Sequence, residues 1–270
     1  MTLGALLFLA LLQGLTEFLP VSSSGHLVLG QHWLNVSSPG VYLEVALHLG
    51  TLVSVLIVFR RDVLLLLKAV LDMVVTPFTR KKVGPDPYRR LAFLLIIGSI
   101  PAALAGIFLG DVFASLFADP RVVGVSLLAT GVLLLYSGRT PGPRDLSRIN
   151  LKDALMIGLG QALAITPGLS RSGTTIAAAL FRGLSRDAAV RFSFLLSLPV
   201  ILGAGLLELP AALQGEMHYP AWWLLIGALV SAASGIVAIL WLIKLLKQGR
   251  LRFLAYYVFA LGSITLLFVR

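Results

Sequence analysis

The chain has 270 residues, of which 58% are hydrophobic and only 13% charged. A soluble domain carries about a quarter charged residues, so the apolar surface exceeds what one water-enclosed core hides, and lipid must be part of the solvent. The net charge of +10 does not indicate nucleic acid, because the basic residues sit in short loops between apolar segments, as in loops facing the cytoplasm. There is no cysteine, which excludes disulfides, thiolate catalysis and Cys-ligated metal.

In chain order, residues 3–12 are apolar but lack the preceding Lys or Arg of a secretory signal, and read as part of the mature fold. A polar break follows: Gln13-Gly-Leu-Thr-Glu17-Phe-Leu-Pro20-Val-Ser22-Ser23-Ser24-Gly25-His26. Six apolar stretches, 41–59, 91–110, 121–138, 187–209, 221–243 and 251–269, are long enough to cross a hydrocarbon core of roughly 30 Å as helices. Segment 63–76 is shorter, carries Lys68 and Asp72, and lies between Arg60-Arg61 and Arg80-Lys81-Lys82. It reads as interfacial or partly inserted. The second break, Pro167-Gly-Leu-Ser170-Arg171-Ser172-Gly173-Thr174-Thr175, interrupts apolar sequence between Lys152 and Arg182.

The loops 60–90, 139–152, 182–191 and 244–252 hold all of the 22 Lys and Arg except Arg121, Arg171 and Arg270. They are assigned to the cytoplasm. The opposite loops carry Asp111, Asp119, Glu208 and Glu216. Trp222 and Trp223 fit an aromatic belt at the outer surface, and His32 and His218 read as interfacial.

The chain also matches itself at an offset of 148: Gln13-Gly-Leu leads to Ser24-Gly25, and Gln161-Ala-Leu leads to Ser172-Gly173. The second copy has basic residues at both ends, and the 11 residues from Gly173 to Gly183 reach only about half the membrane at 1.5 Å each. It therefore reads as a re-entrant hairpin. Three crossings separate it from the first copy, an odd number, so the first hairpin enters from the other side. Its leg 3–19 is long enough nearly to span. The expected fold is an all-α polytopic membrane protein, an inverted-topology repeat with six spanning helices, two re-entrant helical hairpins and an additional interfacial or partly inserted segment. It forms a single membrane domain over 1–270, with repeats approximately 1–140 and 149–270.

At the first break, Gln13 and Glu17 share one helical face. Pro20 ends that helix, and residues 22–25 offer hydroxyls and N–H groups at the start of the next, an anion-binding arrangement. His26 exchanges a proton near neutral pH. At the second break Arg171 supplies a planar fork of donors suited to phosphate. A cation near the bilayer centre costs roughly 2.5–3.5 kcal/mol on insertion scales, which a bound anion or Glu17 would offset. Singly, Ser22, Ser24, Ser170 and Ser172 read as helix caps more often than as ligands. Glu17 with Arg171 could be a structural ion pair, and His26 a satisfied core residue. Together, at symmetric breaks, they read as a site. Glu44 and His48 form another one-face pair that would line the outward mouth or help bind a metal, or simply serve the helix start.

The two motifs, 13–26 and 167–175, resemble the signatures of the undecaprenyl-diphosphate phosphatase family, linked to bacitracin resistance; the resemblance extends over the whole chain. It implies a hydrolase of the bacterial inner membrane that removes the terminal phosphate of a C55 polyprenyl diphosphate, regenerating the lipid carrier of cell-wall peptidoglycan. It implies catalytic roles for Glu17, Ser23, His26 and Arg171, and substrate-binding roles for Gln13, Ser22, Ser24, Ser170, Ser172 and Thr175. It further implies a divalent cation, Mg or Ca, with Glu17 as a ligand, and a site open to the periplasm. The family motif begins with Glu or Gln, and Gln13 here means that a second carboxylate is not essential. His26, oriented by Glu17, is the expected base, acting on Ser23 or on water. The expected partners are the polyprenyl diphosphate and membrane lipids, with no nucleic acid; a homodimer is compatible with the sequence. The rival reading is an anion or lipid-phosphate transporter or flippase on the same repeat.

Overall fold

The computed structural model describes residues 1–36, 41–75, 86–117, 119–137, 142–214 and 220–268. The basic cluster at 80–82, together with Arg139, Glu216, His218 and Arg270, lies outside the described residues. Twelve α-helices are present among them: α1 (Leu3–Phe18), α2 (Ser23–Trp33), α3 (Val41–Val58), α4 (Arg60–Val75), α5 (Pro87–Phe108) and α6 (Gly110–Phe117), then α7 (Pro120–Ser137), α8 (Leu151–Leu163), α9 (Arg171–Phe181), α10 (Arg186–Gln214), α11 (Ala221–Lys247) and α12 (Arg252–Phe268).

Local chemistry sets where several of these begin. Thr2 accepts from the Ala5 N–H at 3.2 Å, and Asp86 caps α5 with Pro87 at its first position. Asn150 and Asp153 form a reciprocal capping box on α8. Ser22 and Ser170, 148 residues apart, cap α2 and α9 through Gly25 and Gly173. Each of those two helices has 11 residues.

Among the described residues four helices are long and apolar enough to cross a membrane: Pro87–Phe108, Pro120–Ser137, Arg186–Leu207 and Ala221–Lys247. A fifth crossing arises only if α3 and α4, bent by 93° at their junction, are one span. Helix α12 is apolar but has 17 residues. By length and composition the protein is thus a multi-pass membrane protein with four or five candidate spans among the described residues. The outward surface fits this medium, with Leu206, Leu229, Val237 and Phe253 all exposed.

The helices exchange partners between the two halves of the chain. The first leg, α1, packs on α11, and its counterpart α8 packs on α5. Both contacts need a residue without a side chain: a methyl group on Gly14 would strike Ser231 O and Ser234 Oγ, and one on Gly158 would strike Gly98 O. Close approach through small residues is how helices associate where lipid removes the hydrophobic driving force. Hydroxyls reinforce it, with Ser231 Oγ donating to Ala10 O at 2.8 Å and Ser54 Oγ to Ala232 O at 2.9 Å. The rings of Phe18 at the end of α1 and Phe59 at the α3–α4 junction meet Phe194 of α10 edge-on at 5.4 and 5.7 Å.

Buried Asp153 holds the basic end together. It accepts from Arg144, from Arg182 Nε at 2.8 Å and from the Asn150 N–H at 3.0 Å. Replacing it with Ala leaves the Arg144 and Arg182 guanidiniums side by side without the carboxylate they share. The expected loss is about 2–4 kcal/mol, below the full value for a buried pair because both arginines reach solvent. The check is the thermal midpoint of the purified Asp153→Ala protein, which should fall by roughly 5–10 °C.

Candidate active site

The two breaks meet. At the end of α1, Gln13 Nε2 donates to Glu17 Oε2 at 2.9 Å, one helical turn apart. Pro20 stops the helix and Ser22 adopts φ +70°, a left-handed conformation that a non-glycine residue occupies at a cost of order 1 kcal/mol. That reversal starts α2 and brings Ser23 Oγ back to donate to Glu17 Oε2 at 2.7 Å. On the other hairpin, Gly168 at φ +85° supplies the turn between α8 and α9, and a Cβ there would collide with the Val123 backbone. Arg171, first residue of α9, then reaches across to donate from Nη2 to Glu17 Oε1 at 2.5 Å. Its other terminal nitrogen, Nη1, is buried and has no hydrogen-bond partner among the described residues.

Two serines tie the hairpins to each other. Ser24 Oγ accepts from the Gly168 N–H at 3.4 Å, and Ser172 Oγ donates to Leu19 O at 3.1 Å. Thr130 of α7 braces the second tip, its hydroxyl donating to Gly168 O and accepting from the Ser170 N–H.

A cavity of about 270 Å³ opens over this constellation. Its polar wall includes Glu17, Ser22, Ser23, Ser24, Ser170 and Arg171. Apolar residues from α3, α6 and α10, among them Leu49, Phe117 and Val200, complete it. The volume is at the small end for ligand pockets and suits a headgroup, with any long chain left among the helices.

Some expected residues stand elsewhere. His26 does not contact Glu17. Its Nδ1 lies 2.7 Å from Ser22 O, which only accepts, so Nδ1 carries the proton; in the neutral ring Nε2 then accepts from the Tyr257 hydroxyl at 2.7 Å. The imidazole also stacks on Tyr257, centroids 5.6 Å apart. Its ring is therefore held by the turn and by α12, and the expected orientation by Glu17 is corrected. Ser172 and Thr175 are buried away from the cavity wall; Thr175 bonds Ser193 Oγ at 2.5 Å and Arg171 O at 2.8 Å. Gln13 is fully buried behind Glu17, its Oε1 unpartnered among the described residues.

The cavity adds Gln161, which has 1% exposure and neither side-chain polar atom hydrogen-bonded among the described residues. It is the counterpart of Gln13 at the repeat offset, the one sequence signal that pointed to it. His48 also lines the cavity, with Nδ1 2.8 Å from Glu44 O, so of the Glu44–His48 pair the histidine faces the site. Among the described residues no group of three His, Cys, Asp or Glu could hold a metal. Magnesium is commonly held by one or two carboxylates together with substrate phosphate oxygens. The carboxylate and amide oxygens on the cavity wall that could contribute to such a site are those of Glu17 and the unpartnered Gln161 Oε1.

Fold and site together define a multi-pass membrane protein in which a hydroxyl and an arginine at two helix starts meet a carboxylate at the end of a third helix, an arrangement suited to phosphoryl groups. The profile of the family described as bacitracin resistance protein BacA matches residues 6–264, and the chain belongs to that family. It is 42% identical over 272 residues to an undecaprenyl-diphosphatase of Alkaliphilus metalliredigens, covering 99% of each chain. It is 43% identical to one from Halothermothrix orenii, over 97% of this chain and 96% of that one. With one from Desulfosudis oleivorans it shares 44% identity, over 96% and 95% respectively.

Proposed function

We propose that the protein hydrolyses undecaprenyl diphosphate to undecaprenyl phosphate and inorganic phosphate, recycling the carrier lipid for peptidoglycan synthesis. The observation that carries the reading is the Ser23–Glu17–Arg171 chain, with a free Arg171 Nη1 beside a headgroup-sized cavity. The ion pair with Glu17 uses Nη2 and leaves Nη1 as a donor for a phosphate oxygen.

In this mechanism Arg171 Nη1 and the N–H groups opening α2 and α9 bind the terminal phosphoryl oxygens and stabilise charge there. Ser23 Oγ attacks the terminal phosphorus while its proton passes to Glu17 Oε2. The bond from phosphorus to the bridging oxygen breaks, and the polyprenyl monophosphate leaves. Glu17 loses its proton to solvent, then takes one from an attacking water and returns it to Ser23 Oγ as the phosphoserine bond breaks. Inorganic phosphate is released. His26 holds the Ser22 carbonyl, and so the turn that aims Ser23, while Ser24 and Ser172 keep the two tips together. A divalent cation, Mg or Ca, held by Glu17 and the diphosphate, would neutralise phosphate charge.

The membrane arrangement belongs to the same proposal. Six spans include α3 and α12; α1–α2 and α8–α9 are re-entrant hairpins of an inverted repeat, and α4 lies in the interface. The exchange of partners between α1 and α8 supports this. So does the 93° turn into α4. The basic loops face the cytoplasm, and the site opens to the periplasm of the inner membrane. A homodimer is compatible with this arrangement.

The test is phosphate release by purified protein given undecaprenyl diphosphate in detergent. Release that disappears in Arg171→Ala and Ser23→Ala supports the reading. Movement of lipid across a bilayer with no phosphate released would replace it with a transporter.

A further inference from the structure

A second polar cavity lies at the other end of α3. His48 borders the site and Val58 borders this cavity, so about ten residues of helix, roughly 15 Å, separate them. Its volume is about 630 Å³, and its polar rim consists of Arg60, Arg61, Asp62, Tyr88 and Arg191. An adjoining cavity of about 180 Å³ shares Phe59 and Arg191 with it and adds Arg186 and Lys247. The two form one groove where α3 and α4 meet α10 and α11.

The charges in this groove do not balance. Buried Asp62 accepts from Arg191 Nη2 at 2.5 Å and from the Tyr88 hydroxyl at 3.1 Å. Asp187 is 3.7 Å from the same Arg191. Both acids are thus engaged with Arg191, and Arg60, Arg61, Arg186 and Lys247 have no ion-pair partner among the described residues. Below this rim the walls are apolar and face outward: Ile57, Leu65 and Leu240 are 45%, 44% and 55% exposed. Helix α4 departs from α3 at 93°, so cations and apolar wall meet at a corner.

We propose that this groove binds an anionic glycerophospholipid of the leaflet at the basic end. Its phosphodiester would lie between Arg60, Arg61 and the Arg191–Tyr88 pair, and an acyl chain along Ile57, Ile236 and Leu240. Four unpartnered cations complement a negative headgroup. The outward apolar wall requires a chain, which excludes free phosphate as the natural occupant. Anchored on α4 and α10 and lying along Ile57 and Val58, the lipid packs against the end of α3, the helix whose other end borders the active-site cavity. The inference does not depend on the reaction proposed for that cavity.

The experiment measures lipid binding to the purified full-length protein by native mass spectrometry, titrating phosphatidylglycerol and phosphatidylcholine separately. Each arginine beside an anionic lipid surface contributes roughly fivefold in affinity. Wild type should therefore prefer phosphatidylglycerol by at least tenfold, and Arg60→Gln/Arg61→Gln should lose most of that preference. Arg148→Gln/Lys152→Gln, which removes two cations from the same end outside the groove, should retain it. If the first double variant does not fold, Arg186→Gln/Lys247→Gln tests the same groove and should lose a similar share. Equal binding of both lipids by wild type overturns the proposal, as does an equal loss in the control variant. Displacement of phosphatidylglycerol by equimolar undecaprenyl phosphate would assign the groove to a polyprenyl phosphate and overturn this occupant. Because the readout is binding, it is independent of phosphate release.

Discussion

Arg171→Ala is expected to lower kcat/KM for phosphate release from undecaprenyl diphosphate by roughly 10³-fold or more. That is the scale on which phosphoryl transfer loses rate when its arginine is removed. Two effects combine. The unpartnered Nη1, the donor available to the substrate, is lost. Nη2, 2.5 Å from Glu17 Oε1, is lost as well, leaving a buried carboxylate without its cation. The second effect is structural and costs about 3–5 kcal/mol for a buried pair, so the variant should also melt earlier. Arg171→Lys separates the two. It keeps a counter-ion for Glu17 but not the planar fork, so it should recover most of the stability while remaining slow. Recovery of the rate by Lys would refute the role given to Nη1.

The other large effect falls on Ser23. Ser23→Ala should lower kcat by roughly 10³-fold or more with little change in KM, the pattern of an interaction used in the transition state alone. Ser23 is partly exposed in the cavity and among the described residues its side chain bonds only Glu17, so the fold should tolerate the change. Glu17→Gln should be slow too, since an amide accepts no proton from the hydroxyl. Rapid acid quench of wild-type turnover, followed by peptide analysis, should find phosphoserine at position 23. A Ser23→Ala enzyme retaining most of its rate would transfer the attack to water.

The serine-rich motifs taught two different lessons. As caps, Ser22 and Ser170 were legible because a cap acts on an N–H three residues ahead, and the offset of 148 aligned α2 with α9 residue for residue. Ser24 and Ser172 were candidate ligands too, yet they join the tips to each other across 144 and 153 residues. Nothing local distinguishes a hydroxyl aimed at substrate from one aimed at a distant backbone. The same blindness misplaced His26: its partner Tyr257 lies 231 residues away on α12, in a stretch that reads as lipid-facing apolar helix. Gln161 was visible as a repeat anchor, but its place on the cavity wall depends on how α8 docks.

From the amino-acid order alone came the membrane as solvent, the helical class, the two breaks and the caps that start the paired short helices. These depend on composition and on contacts three or four residues apart, which the chain carries wherever it goes. Tertiary structure alone decided that Arg171 reaches Glu17, that His26 turns to Tyr257, and that α4 leaves α3 at a right angle to make the second groove. Those outcomes depend on how closely helices approach at Gly14 and Gly158, and close packing between distant segments leaves no local trace in the sequence.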